Sequence, residues 1–268
     1  MPRDRLVLKF GGAALRSPGR VARAADRIRR LQDAGVQVVA VVSAPGRSTD
    51  RLLHRVRQVE GVRGADVGAT ALRRREQDRL LATGEIQASA LLALALLERG
   101  VRGRGLSGPE AGLYLHQGRL EVDPEALDQL LASGWVPVVA GFQARGPGGE
   151  LRTLERGGSD LTAVVLAEGL GAQECCLVKD VSGVFPRDPG QDARRSRPTH
   201  PFPRLSAQKL LELAQGGARV VQVAAAKRAL QGGVRLRVHH FRSPALDPGG
   251  TVVTAPPHRG IPARREVS

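Results

Sequence analysis

The chain has 268 residues, 41% of them apolar, enough for one large α/β domain or two small lobes with a sizeable core. Only 3% are aromatic, so Val, Leu and Ala must build that core, and no apolar run reads as long enough to span a bilayer. The formal net charge of +15 invites a nucleic-acid reading. However, Arg27, Arg29, Arg30, Arg73, Arg74, Arg75, Arg194, Arg195 and Arg197 are scattered over expected helices and loops with no interleaved aromatics, so nucleic acid is not an expected partner.

In chain order, Leu6 to Phe10 reads as a short strand ending at Gly11-Gly12, and Pro18 to Ala34 as a helix stopped by Gly35. Val36 to Val42 is a continuous β-branched run, the pattern of a strand buried on both faces. Ser43 to Asp50 reads as a loop. Glu76 to Ala82 reads as a helix ending at Thr83-Gly84-Glu85, followed by an apolar helix from Ile86 to Arg99. Val136 to Ala140 is a second buried strand. Ser159 to Leu170 is a helix with Ser and Asp at its start. Cys175 to Val178 is a strand, Ser206 to Gln215 and Val220 to Leu230 are helices, and Leu236 to His240 is a strand. This alternation predicts an α/β fold on a mostly parallel sheet with helices on both faces, and ligands outside the carboxyl ends of the strands.

Met1-Pro2-Arg3-Asp4-Arg5 leads into a strand without the apolar segment of a signal peptide, which predicts a cytoplasmic protein. Cys175 and Cys176 are adjacent and point to opposite faces of a strand, so two buried thiols are expected rather than a disulfide. No zinc spacing and no Walker-type P-loop are present, and the six histidines form no set with a nucleophile. The segment 256–268, with Pro, Arg and Gly, reads as a flexible tail.

Four motifs sit where such a sheet would hold ligands. At Lys9-Phe10-Gly11-Gly12, two glycines allow close approach of a phosphate and Lys9 offers a compact charge; a plain tight turn with an exposed lysine fits equally well. Lysine is otherwise found only at Lys179, Lys209 and Lys227. At Arg156-Gly157-Gly158-Ser159-Asp160, a Gly-rich turn opens a helix whose N-terminus can hold an anion, and Arg156 can grip a carboxylate; an ordinary capped loop is the alternative. From Val178 to Pro189, a strand ends at Lys179-Asp180 and runs into a Pro-fixed loop. That loop could place Phe185 against an adenine, or it could be a simple connection. Ser43 to Asp50 and Thr83-Gly84-Glu85 each put hydroxyls and a carboxylate near a strand end or helix start.

Taken in this order and spacing, the motifs resemble the aspartokinase branch of the amino-acid kinase superfamily. Lys9 to Gly12, Val42-Ser43-Ala44, Gly46 to Asp50, Leu80 to Glu85, Val136 to Gln143, Thr153 to Ala163, Asp180 to Val184 and Asp188-Pro189 carry the likeness, over about residues 5 to 255. The resemblance implies a three-layer αβα sandwich of the carbamate kinase-like type. It implies an amino-acid kinase domain over 1–255, with an N-terminal amino-acid lobe and a C-terminal nucleotide lobe. It also implies ATP-dependent phosphorylation of the β-carboxylate of L-aspartate, the first step toward lysine, threonine and methionine. Magnesium would be carried mainly by the nucleotide phosphates and not by a protein ligand set.

In the same terms, Lys9 and Asp180 would be catalytic. Thr49, Glu85, Arg156, Ser159 and Asp160 would hold the amino acid, Glu85 at its ammonium and Arg156 at its carboxylate. Lys9, Phe10, Gly11, Gly12, Ser43, Gly157, Gly158, Lys179, Asp180, Phe185, Arg187, Asp188 and Arg219 would line the nucleotide site. The chain departs from the family pattern at Ala13-Ala14, Glu155, Lys179, Phe185 and Arg219. These departures motivate two alternatives, a diverged kinase with another acceptor and a weakly active or non-catalytic ligand-binding homologue. Regulatory ACT domains are not expected within this chain. A homodimer or a separate regulatory subunit is the expected partner, with no membrane association.

Overall fold

The computed structural model describes residues 4–59, 67–155, 157–186, 200–218, 220–244 and 249–256, and at 67–69 the backbone alone. The expected strands form the centre of one large sheet: β1 (Arg5–Phe10), β2 (Gln37–Val42), β6 (Val136–Ala140), β9 (Glu174–Lys179) and β11 (Leu236–His240). Edge and outer strands are β3 (Gly103–Leu106), β10 (Arg204–Ser206) and β12 (Thr251–Thr254), giving eight strands in the order β10-β12-β11-β9-β1-β2-β6-β3. Every pairing is parallel except β11 with β12. The central strands are buried on both faces, which is why they read as unbroken apolar runs.

Helices cover both faces, as the sequence predicts. On one side lie α1 (Pro18–Asp33) and α3 (Val67–Leu97), packed over Leu8, Phe10, Val38, Ala40, Val42 and Val178. On the other lie α4 (Glu125–Ala132), α5 (Gly158–Gly169), α6 (Ala207–Gln215) and α7 (Val223–Gly232), over Val7, Val39, Val41, Cys175 and Leu177. Both cysteines are free and buried, as expected.

Three expectations need correction. Ser43 to Asp50 is not all loop: Ser48 opens α2 (Ser48–Val59). Thr83-Gly84-Glu85 does not end a helix, because α3 runs through it without a break. Gly84 is there for close approach: a Cβ on it would lie 2.8 Å from the Ala44 Cβ. Read as one helix, Thr70–Leu97 is long and apolar enough to cross a bilayer by length and composition, although half of its apolar window is buried in the protein. Gly84→Ala should therefore destabilise the fold by about 1–3 kcal/mol through overpacking, although alanine is the better helix former. A urea titration showing stabilisation would contradict this contact.

A second sheet, β5-β4-β7-β8, was not foreseen. It joins β4 (Leu113–His116), β5 (Arg119–Val122), β7 (Gln143–Arg145) and β8 (Leu151–Thr153), strands of three or four residues with little apolar run to read. Its β4–β5 hairpin turns on Gln117-Gly118, both with positive φ (49° and 74°), the form of a primed turn written with Gln in place of the usual Asn.

Candidate functional site

Because β9, β1 and β2 are parallel neighbours, their carboxyl ends lie side by side. That edge gathers Lys9, Gly11-Gly12, Ser43-Ala44 and Lys179-Asp180, and the glycine turn after β1 docks tightly on the turn after β2. The Gly46 N–H donates to the Gly12 carbonyl at 2.9 Å, and a Cβ on Gly12 would sit 2.5 Å from the Ala44 carbonyl oxygen. Helix α5 points its N-terminus at the same edge. Its N-cap is Gly157, with no side-chain cap; within the first turn the Gly158 N–H donates to the Glu155 carbonyl at 2.8 Å and the Asp160 N–H to the Gly157 carbonyl at 3.0 Å, so the positive end of the helix faces this edge with its N–H groups partly engaged. The cap expected from Ser159 and Asp160 is absent; both lie inside the first turn and are buried.

Asp160, expected to hold the amino acid, is paired with two lysines in the structure. Its Oδ1 meets Lys9 Nζ at 2.7 Å and its Oδ2 accepts from Lys179 Nζ at 2.6 Å, with the carboxylate 4% exposed. Burial alone would raise its pKa, but Lys179 and Lys9 outweigh burial and hold it well below the usual carboxylate range. Burial and the neighbouring Lys9 pull Lys179 down against the opposing pull of Asp160. Beside this triad opens a cavity of about 450 Å³ lined by Lys9, Gly157, Asp160, Lys179, Gly217, Ala218, Gln222 and their neighbours. It combines two lysines, an uncapped helix N-terminus and small residues that leave room, which is the chemistry of a polyphosphate cradle.

Glu85 reaches the site from the middle of α3. Its Oε1 accepts from the Ala44 N–H at 3.0 Å, and burial raises its pKa to about 7 against the lowering effect of that bond and of Lys9. Between 4.5, its ordinary value, and about 7, the folded protein keeps a proton that the unfolded chain has released. Glu85 therefore costs stability progressively as pH rises through that window. The unfolding free energy of wild type relative to Glu85→Gln should fall between about pH 5 and about pH 7 in urea titrations; a flat difference would place Glu85 in a wetter environment.

The remaining expected residues divide. Ser43 is half-buried beside the β1 turn, its N–H donating to the Phe10 carbonyl at 3.2 Å, and Thr49 is half-buried in the first turn of α2. Phe10 is only 1% exposed, with its ring in the core beneath α1 and α3, so it offers the site backbone and not side chain. Asp180 is exposed, in the electrostatic reach of Lys179, Arg20 and His240. Phe185 is half-buried beyond β9 and is not among the residues lining that cavity. Arg156, Arg187, Asp188 and Arg219 lie outside the described residues. Sequence reasoning missed Gln222 and the bridging role of Asp160. The short Gly217-Ala218 break between two helices was the available signal for the cavity wall that includes Gln222.

The model of the amino acid kinase family matches residues 4–240. The chain belongs to the amino acid kinase family. Within it, the chain is 36% identical to the aspartokinase of Geobacillus stearothermophilus over 253 residues, covering 92% of this chain and 58% of that protein. Its structure matches that of aspartate kinase from Synechocystis with a TM-score of 0.79 at 36% identity, covering 96% of this chain and 41% of that one. It also matches E. coli aspartokinase III in complex with aspartate and ADP, with a TM-score of 0.74 at 25% identity, covering 96% and 66%. The chain spans little more than half the length of the curated relatives it matches.

Proposed function

We propose that the chain transfers the terminal phosphoryl group of ATP to the β-carboxylate of L-aspartate, as an aspartate kinase of the pathway toward lysine, threonine and methionine. The single observation that carries the chemistry is the Lys9–Asp160–Lys179 triad at the N-terminus of α5. The choice of acceptor rests on the similarity to aspartokinases. In this reading the nucleotide phosphates enter the cavity between Lys179, Gly157 and the α6–α7 connection, the nucleotide lobe. The amino acid lies toward β2 and α3, where Thr49 and Glu85 stand, with Glu85 facing its ammonium. Arg156 facing the carboxylate is part of the same proposal.

An oxygen of the β-carboxylate attacks the γ-phosphorus in line. The bond from that phosphorus to the bridging oxygen breaks, its electrons leave on ADP, and an acyl phosphate forms. The attacking group is already ionised at neutral pH, so no proton need be removed, and the work left to the protein is alignment and charge neutralisation. Lys9 follows the charge on the phosphoryl oxygens in flight, and Asp160 keeps both lysines aimed. Magnesium is assigned to the nucleotide phosphates, as the resemblance implies; the Asp160 oxygens already face the two lysines.

Incubation with ATP, aspartate and hydroxylamine should give aspartyl hydroxamate with matching ADP release. No hydroxamate at millimolar aspartate would overturn the acceptor, and a panel of other carboxylate and phosphate acceptors would then test the diverged-kinase reading that Ala13 and Ala14 motivate. Since only ionised Glu85 can pair with an ammonium, KM for aspartate should rise as pH falls below about 7, and Glu85→Gln should remove that slope. Self-association belongs to the same proposal; Ile86, Leu91, Leu94 and Leu97 form an exposed apolar row on α3 that supports it.

A further inference from the structure

The arginines that look scattered along the chain converge on the other side of the sheet. Arg20, Arg23, Arg27 and Arg30 follow three- and four-residue spacing and share one face of α1. Arg242, just past β11, faces them across a cavity of about 430 Å³ whose apolar lining includes Phe10, Val178 and Phe241. Phe10 and Val178 adjoin Lys9 and Lys179 in sequence, but strand alternation turns them to the opposite face. The sheet thus separates this cavity from the phosphate cradle.

Its arginines are built in. Arg27 is 6% exposed and is held by a ring nitrogen of His239 at 3.0 Å and by the Pro244 carbonyl at 3.0 Å. Arg20 lies over the Phe241 ring, 4.3 Å from its centroid, and donates to the Ala13 carbonyl. Arg242 faces the same ring at 5.6 Å. Asp26 is the single acidic side chain among the described lining residues, and Arg99 already pairs with it at 2.6 Å. Beyond the lining, Asp180 is the acid whose field reaches Arg20. Burial first, and then the like charges of Arg16, Arg242 and Arg23, pull the Arg20 guanidinium below its ordinary value against the opposing pull of Asp180.

Five guanidiniums around one concavity, with the described lining carboxylate Asp26 already paired, focus positive potential into it. Guanidiniums favour phosphate oxygens, which accept paired hydrogen bonds. The volume falls in the range of roughly 300–1,000 Å³ that holds an organic ligand, more than a single inorganic anion needs. We propose that this cavity is a second anion site, on the sheet face opposite Lys9, that takes a phosphorylated small molecule with two or more negative charges, held by Arg23, Arg27, Arg30 and Arg242.

The test uses the full chain in a Lys9→Ala background, which weakens the phosphate cradle and leaves the Asp160–Lys179 pair intact. Tripolyphosphate is titrated by calorimetry at about 150 mM salt, where diffuse surface attraction is screened. Binding should persist, and adding Arg23→Ala with Arg242→Ala, both exposed side chains, should weaken it at least about tenfold. The exposed control pair Arg73→Ala with Arg75→Ala should leave it unchanged. Absence of binding in the Lys9→Ala protein overturns the proposal, as does equal weakening by the control pair. Tighter capture of a duplex oligonucleotide through Arg23 and Arg242 overturns it in favour of a nucleic-acid face.

Discussion

Asp160→Asn is expected to cost about 3–5 kcal/mol of stability and to lower turnover at least about a hundredfold. The carboxylate is the shared counter-ion of two lysines whose side chains are 6% and 15% exposed. An asparagine of the same shape leaves two buried positive charges facing each other and turns an NH2 donor toward one of them. Lys179, already pulled down by burial and by Lys9, would then shed its proton more readily, so the site would lose charge as well as alignment. The wild type carries the same information in its acid limb. Asp160 has a folded pKa below its ordinary 3.8, so its stabilisation is fully present above that value and is lost as pH falls from there through the folded value. Urea titrations of both proteins between about pH 2 and about pH 5 should therefore converge at the acid end. Parallel curves would show that Asp160 does not bridge the lysines.

Lys9→Ala should reduce turnover by roughly 10²–10³ while leaving KM for aspartate within a few-fold, because the proposed function puts Lys9 where charge shifts during transfer and not where the amino acid is held. Its effect on stability should be much smaller than that of Asp160→Asn, since Asp160 keeps Lys179 at 2.6 Å. Lys9→Arg should not rescue the rate. The ammonium sits in a 6%-exposed site at 2.7 Å from Asp160, and a planar guanidinium on a different stem neither fits there nor presents a point charge. An Arg variant at wild-type turnover would show that charge alone, not the placement of Nζ, carries the function. Together the two substitutions test whether Lys9 acts on the phosphoryl while Asp160 aims it, as the proposed function has them.

Much of the fold was legible because its central strands are buried on both faces. Such strands tend to be written as apolar runs, unbroken in β2 and β6 and interrupted by polar residues in β1 and β11, and β1, β2, β6, β9 and β11 lie within a residue of where the sequence puts them. The second sheet was not legible: its strands are three or four residues long, and its hairpin uses Gln117 at a position where Asn would have signalled the turn. Helix α3 was misread in two pieces because Gly84 interrupts its pattern, and only the packing of Ala44 against it explains a glycine in mid-helix. In the site, Lys9, Glu85 and Lys179 could be singled out as chemistry at strand ends and glycine turns. Phe10 could not be assigned to the core without knowing which face of β1 meets α1, and Asp160 read as a helix cap because local spacing makes that the nearest use for an aspartate after Gly-Gly.

Sequence by itself determined a mostly parallel α/β sheet, the strand ends at which ligands gather, and the family resemblance, since each is written in runs and motifs a few residues long. Only the tertiary structure decided that Asp160 bridges Lys9 and Lys179, that Glu85 is buried against Ala44, and that the α1 arginines and Arg242 surround one cavity. Each of these depends on groups far apart in the chain, and which side chains meet is set by strand order and by which face of the sheet each one takes.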